Sequence, residues 1–310
     1  MAKIAIIGAG IAGLACARFL SDAGLSPIVF DKGRGIGGRV ATRRADEGLQ
    51  FDHGAQYVKS TDPVFQSVLG TCCEAGALAR WKTKNQEIGY VGAPRMTALA
   101  KHLGQGIEIR QKAQVTTVLR GDDKWHVGID KDAQAFDRVV CTAPAPQTLA
   151  LLQPHLPAAL ASDAIDYDPC LTLMIALKTH PDLPDTAKCP TKAFAWVAHD
   201  SSKPNRSSTG CWVVQASADW SQQHLEKTKD EICALMSELF LDHACLSSKD
   251  VIYASAHRWR YAFVAKPLGQ SFVKDTTQTL YAGGDWCLGP RVEHAWQSGT
   301  AIAKDLIAGV

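Results

Sequence analysis

Apolar residues follow two periods along this chain. Residues 3–8 form a short β-branched run that ends on glycine with no polar alternation, as in a strand buried on both faces of a parallel sheet. Residues 11–23 read as a helix and 26–31 as a second parallel strand, which makes a β–α–β unit. A helix is predicted over 94–103 and a third parallel strand over 107–110. Segments 115–119, 125–129 and 134–136 then read as a small antiparallel meander, its first turn made by Gly121, Asp122 and Asp123. Segment 138–142 returns to the main sheet, stopped by Pro144 and Pro146. Farther on, strand-like segments at 171–177, 193–197, 212–216 and 251–259 surround a helix at 226–241 with apolar positions Ile232, Leu235, Met236, Leu239 and Phe240. A last strand at 281–283 and a closing helix at 292–307 end the chain.

The pattern predicts an α/β fold: a Rossmann domain of parallel sheet plus β-meander, and a second α+β domain built on an antiparallel sheet. The expected division is 1–55, 94–150 and 275–310 in the first domain, 56–93 and 151–274 in the second. A length of 310 residues is in keeping with two domains. Its 46% hydrophobic and 21% charged content is that of a globular enzyme. A net charge of +2 without dense Lys/Arg runs gives no reason to expect nucleic acid. The N-terminal apolar run carries Gly8, Gly10 and Gly13 at fixed offsets, so it reads as strand and helix rather than an export signal. No run reaches the 18–20 apolar residues of a membrane span, and a cytoplasmic location is expected. The ten cysteines contain no CxxC and no zinc spacing, so reduced thiols and no metal are expected.

GAGIAG places Gly8, Gly10 and Gly13 in a GxGxxG pattern between strand and helix. The first glycine makes a tight turn, the second lets a pyrophosphate approach, and the third lets helix and strand pack closely. The helix N-terminus offers unpaired N–H groups to the anion. Asp31 ends the second strand 18 residues after the third glycine, where a carboxylate accepts hydrogen bonds from an adenosine ribose. This acid would repel a 2′-phosphate, so FAD or NAD is favoured over NADP. Gly37-Gly38-Arg39 follows, resembling the extended FAD fingerprint of the flavin amine oxidase superfamily. The arginine that superfamily carries four residues after the acid is replaced by Gly35, with Arg34 beside it.

FDHGAQYV at 51–58 lets backbone pass close to a planar ring at Gly54 and Ala55, with Gln56 and Tyr57 beside it. The C-terminal segment completes the expected site. Gly283-Gly284-Asp285 ends a strand, and Asp285 is expected near the ribityl–phosphate region of a flavin. RVEHAWQSG opens a helix whose first N–H groups would stabilise negative charge on a reduced flavin.

With FDKGRGIGGR, FDHGAQY, GAPRMTAL, TAPAPQ, HRWRYA and GGDWCLGPRVEHAWQSG in order from end to end, the chain resembles the renalase family of flavoproteins. One departure is Arg95, where relatives often have glycine. The resemblance implies a glutathione-reductase-like fold with non-covalent FAD. It implies cofactor contacts at Gly8, Gly10, Ile11, Ala12, Gly13, Asp31, Lys32, Gly38, Arg39, Gly54, Ala55, Gln56, Tyr57, Val115, Gly284, Asp285, Val292 and Glu293. It implies oxidation of misreduced dihydro-NAD(P) isomers to NAD(P)+, with oxygen taking the electrons to give hydrogen peroxide. Such a donor needs only to be held near the flavin, and no nucleophile or dedicated base is required.

Substrate-side candidates are Tyr57, Arg258, Trp259, Tyr261 and Trp286, as aromatic faces or phosphate partners. His257 and His294 are expected to be structural, and Cys287 a packed thiol. Oxygen and a small dinucleotide are the expected partners, with a monomer or homodimer. The competing readings are an amine oxidase or carotenoid-type desaturase, and a non-catalytic FAD-binding sensor.

Overall fold

The computed structural model describes residues 2–83, 87–129, 132–156, 164–206 and 210–309. A six-stranded sheet runs in the order Val273–Lys274, Leu280–Ala282, Arg138–Cys141, Ile4–Ile7, Ile28–Asp31, Glu108–Gln111, parallel except for the Val273–Lys274 edge. Its central strands are apolar on both sides because both sides are covered. Ile4, Ile6, Val29 and Val140 point into one core. Ala5, Ile7, Phe30, Val139 and Cys141 point into the other, with Trp125, Val127 and Phe136 of the meander. The meander pairs Val115–Arg120, Trp125–Ile129 and Asp132–Phe136 in antiparallel order.

Helices Ile11–Asp22 and Val292–Ala308 pack together in the first core. Gly299 makes this possible, since a Cβ there would stand 2.0 Å from the Ala12 carbonyl oxygen. The C-terminal helix thereby lies backbone to backbone on the N-terminal one, and the two ends of the chain meet.

A five-stranded antiparallel sheet follows the order Thr186–Lys188, Phe194–His199, Gly210–Ala216, Asp166–Leu177, Val251–Lys266. Leu171, Leu173 and Ile175 pack on Ile232, Met236 and Phe240 of helix Lys229–His243, which starts in a capping box of Thr228 and Glu231. The two long strands exceed the expected 171–177 and 251–259, because β-bulges carry the pairing past Cys170 and Trp259 toward the parallel sheet.

Residues 63–92 hold a helix, Pro63–Glu74, and a hairpin, Leu78–Lys82 with Glu87–Gly92. Their Phe65, Leu69, Trp81 and Tyr90 lie in one core with the parallel sheet and with Trp196 and Ala198 of the antiparallel sheet. The helix expected from 94 begins at Thr97. No helix among the described residues is long and apolar enough to cross a membrane.

Candidate active site: a basic cavity along the sheet's carboxyl edge

A cavity of about 1970 Å³ opens at the carboxyl ends of Ile4–Ile7 and Ile28–Asp31, between the two sheets. One ligand pocket commonly holds roughly 300–1,000 Å³, so there is room for a dinucleotide and a second molecule. Parallel strands flank Ile4–Ile7 on both sides, so this is the switch point where such sheets bind ligands.

The glycines divide the work as their spacing implies. Gly8 has φ +105°, accessible to glycine, and its N–H bonds to Phe30 O at 2.8 Å. A Cβ on Gly13 would meet Gly8 O at 1.9 Å, so this glycine serves packing and lies outside the cavity lining. A Cβ on Gly10 would meet nothing within 4 Å; the space it leaves is cavity. Gly10 caps helix Ile11–Asp22 with no side-chain bond and no acid in the first turn. Uncapped N–H groups facing a cavity suit the pyrophosphate of a dinucleotide.

Asp31 is oriented by two backbone donors, Ala9 N–H and Gly33 N–H, both at 2.7 Å. Ile11, Ala12, Lys32, Gly38 and Val115 also line this end, and Lys32 Nζ reaches Gln147 Oε1 at 3.0 Å. Gly284 and Val292 also line the cavity, and helix Val292–Ala308 opens on it without a side-chain cap. These features fit FAD.

Arg39 and Asp285 bind each other rather than standing apart toward the cofactor. Nη1 donates to Oδ2 at 2.7 Å and Nη2 to Oδ1 at 2.6 Å, while Nη1 also reaches Ala262 O at 3.1 Å. Burial alone would lower the Arg39 pKa; the Asp285 charge and hydrogen bonds outweigh it, and the guanidinium is held more firmly protonated.

Gly54, Ala55, Gln56 and Tyr57 line the cavity where the flavin ring is expected. A buried network missed by sequence reasoning fixes this loop. Lys203 Nζ donates to Asp200 Oδ1 at 2.5 Å, and to Asp52 Oδ2 and Gln56 Oε1, each at 3.3 Å. Arg206 Nη2 donates to Asp52 Oδ2 at 2.6 Å, and Thr42 Oγ1 and Met96 N–H donate to Oδ1. Burial would raise the Asp52 carboxyl, but Lys203 and Arg206 overcome it and hold the group below its ordinary value. Gln215 Nε2 donates to Gly54 O at 2.8 Å.

Besides Gly13, two expected contacts lie elsewhere. Glu293 is outside the lining; its carboxylate accepts from Ser60 Oγ at 2.8 Å, from Thr61 N–H and Asp62 N–H at 2.7 Å, and from Thr61 Oγ1 at 3.2 Å. It holds the 60–62 turn, where Asp62 caps helix Pro63–Glu74. Trp286 is fully buried in the core beneath the sheet, its indole N–H on Ala143 O at 3.1 Å, because the turn Asp285–Cys287 swings it away from the cavity.

The substrate-side candidates Tyr57, Arg258, Trp259 and Tyr261 come together on the wall formed with the antiparallel sheet. Tyr57 packs against Trp196 at 5.6 Å between ring centroids, and Tyr261 meets Tyr167 edge-on at 5.4 Å. Arg258 Nη2 donates to Lys227 O. Trp259 is committed on one face, stacked on His53 at 5.2 Å with its Nε1 donating to His53 O at 2.9 Å. His257 abuts both rings. Burial chiefly, with neighbouring positive charge, lowers His53 to about 3 and His257 to about 4, so both imidazoles are neutral. Trp196, Gln215 and His53 entered none of the sequence-based site assignments. Trp196 sits on a strand that alternation does predict, but period two alone does not say which face meets a cavity.

Among the described residues, basic side chains dominate the lining: eleven Lys and Arg against Asp31 and Asp285. Both carboxylates are engaged, one with backbone N–H groups and the other with Arg39. No cluster of three or more potential metal ligands occurs among the described residues.

The sequence matches an NAD(P)-binding Rossmann-like domain over residues 6–71 and the family of flavin containing amine oxidoreductases over 69–307. A 15-cis-phytoene desaturase of Synechococcus elongatus is 44% identical over 52 residues, 17% of this chain and 11% of that protein. A 4,4'-diapophytoene desaturase (4,4'-diaponeurosporene-forming) of Staphylococcus aureus strain Newman is 39% identical over 70 residues, 23% of this chain and 14% of that protein. The chain thus aligns with under a sixth of either desaturase. Among solved structures, a protein assigned as a protoporphyrinogen oxidase from Exiguobacterium sp. 255-15 superposes with a TM-score of 0.73 at 14% identity, covering 100% of this chain and 99% of that one. A putrescine oxidase bound to putrescine gives a TM-score of 0.70 at 15% identity, covering 99% of each. Identities this low speak for the fold. The match over 69–307 spans most of the chain, which belongs to the flavin-containing amine oxidoreductase family and uses FAD as its cofactor.

Proposed function

We propose that this FAD-dependent oxidoreductase oxidises misreduced dihydro-NAD(P) isomers to NAD(P)+, with oxygen as the final acceptor. The observation that carries the reading is the charge of the cavity, eleven basic side chains against two engaged carboxylates among the described residues. Such a wall attracts a phosphate-bearing substrate, opposes a protonated amine, and is costly beside a hydrocarbon.

FAD, when bound, would supply a two-electron acceptor that oxygen can reoxidise. The protein's own part is to hold the donor. The Tyr57–Trp196 ring pair offers aromatic surface to a dihydropyridine. Neutral His53 and His257 present no charged acid or base, in keeping with a donor that loses hydride without a proton. Arg258, its Nη2 on Lys227 O, presents a fixed cation to a phosphate or carboxamide. Burial raises the Cys287 thiol to about 12, and Cys287 lies outside the lining, which supports FAD held without a covalent bond.

The test is anaerobic mixing of holoenzyme with separated dihydro-NAD and dihydro-NADP isomers. Bleaching of the flavin within seconds by one or more isomers is expected. No bleaching, together with peroxide release on adding a simple amine, would replace this reading with an amine oxidase.

A further inference from the structure

Beyond the Tyr57–Trp196 pair lies a second pocket of about 200 Å³, lined by Tyr57, Lys59, Ile88, Thr186, Lys188 and Trp196. Tyr57, Lys59, Lys188 and Trp196 line the main cavity as well, so the pocket is its outward continuation. Among the described residues, the lining holds two lysines and no carboxylate. Thr186 and Lys188 are two apart on one strand and share a face, Lys188 in register with Trp196. Lys59 comes from the other side, its Nζ 5.5 Å from the centre of the Tyr57 ring. Lys59 and, from a separate segment, Thr186 and Lys188 thus line a space too small for a nucleoside and sufficient for a small anion.

We propose that this pocket is a phosphate subsite that holds one phosphate of the substrate while its dihydropyridine lies inside the aromatic pair. The proposal rests on the substrate reading above and adds what anchors the rest of the molecule. Lys59 and Lys188 act in binding alone: they meet a phosphate as point charges and touch no reacting atom. The phosphate is either the 5′-phosphate shared by all the nucleotide donors or the 2′-phosphate of NADP forms.

The experiment compares wild-type holoenzyme with the K59Q/K188Q variant in anaerobic flavin reduction. The donors are dihydro isomers of NAD, NADP, nicotinamide mononucleotide and nicotinamide riboside. The dissociation constant of phosphate-bearing donors rises about tenfold or more in the variant, the limiting rate of flavin reduction holds, and the riboside, lacking phosphate, is unaffected. A rise shared by NAD, NADP and mononucleotide donors assigns the 5′-phosphate, and a rise confined to NADP donors assigns the 2′-phosphate. Unchanged phosphate-bearing donors, or a riboside weakened as much as they are, overturn the subsite.

Calorimetric titration with inorganic pyrophosphate separates this claim from the substrate reading. If no donor reduces the flavin, yet wild-type holoenzyme binds pyrophosphate and the variant binds it at least tenfold more weakly, the subsite stands and the substrate reading falls. No pyrophosphate binding by the wild type, or equal binding by both, overturns the subsite.

Discussion

Arg39 and Asp285, 246 positions apart, are joined by two parallel N–H···O bonds of 2.7 and 2.6 Å beside the cavity. The glycine-rich loop after the second strand and the turn after the last strand are locked to each other by this pair. The Asp285 side chain is only 8% exposed and that of Arg39 31%. Losing one partner therefore strands a charge with partial access to water.

Asp285→Ala should lower folding stability by about 2 kcal/mol, below the 3–5 kcal/mol of a fully buried pair because Arg39 keeps some solvent. It should also release FAD during gel filtration. Asp285→Asn retains an acceptor for one of the two bonds and should lie between. Thermal unfolding and the flavin-to-protein absorbance ratio check both; a D285A variant with wild-type flavin content would show that the pair does not shape the cofactor site.

Gly10 and Gly13 separate cofactor from fold. Gly10 has φ −76° and open space where a Cβ would go, so Gly10→Ala should fold like wild-type apoprotein while losing most of its FAD affinity. Gly13→Ala would drive a methyl against Gly8 O and should unfold at lower temperature with or without flavin. Apoprotein melting curves of both variants, with flavin titrations, decide this; equal stability of the two apoproteins would contradict it.

The Glu293 clamp gives a third expectation. Glu293→Ala leaves Thr61 N–H and Asp62 N–H without their acceptor and should cost about 3 kcal/mol. Glu293→Gln can keep the bonds to Oε1 and should cost about 1 kcal/mol. Denaturant unfolding of both variants checks the order.

Acid sensitivity follows from the histidine pair. Both imidazoles have an ordinary pKa of 6.5, which the fold lowers to about 3 for His53 and about 4 for His257, chiefly by burial. The unfolded chain takes up these protons below pH 6.5 and the folded chain does not. Their contribution to stability is therefore complete above pH 6.5 and declines as pH falls toward 4 and then 3. His53 alone should account for about 2 kcal/mol lost between pH 6.5 and 5. His53→Phe, which can keep the stack on Trp259, should flatten this part of the stability–pH curve; an unchanged slope would contradict the burial argument.

The parallel strands and nucleotide loop were legible because their constraints are local. Ile4–Ile7 is apolar at every position since both faces are covered, and Gly8, Gly10 and Gly13 answer to backbone distances within one turn. Trp286 was misplaced because its neighbour Asp285 does line the cavity; a one-residue step in a tight turn decides which of the two faces it. The Asp52–Asp200–Lys203–Arg206 network was illegible because Asp52 lies 148 or more positions from the other three and meets them only in the folded chain. Helix Pro63–Glu74 had a readable start in Asp62 followed by Pro63, a cap and a first-turn proline, and it was overlooked.

The central claim concerns the donor, and rapid mixing of anaerobic holoenzyme with each purified dihydro-NAD(P) isomer tests it most directly. The account predicts that at least one misreduced isomer bleaches the flavin within seconds, with NAD(P)+ formed in equal amount, and that the process slows with rising ionic strength as the basic cavity is screened. A flavin that stays oxidised with every isomer, while a simple amine or a polyene reduces it, would contradict the claim.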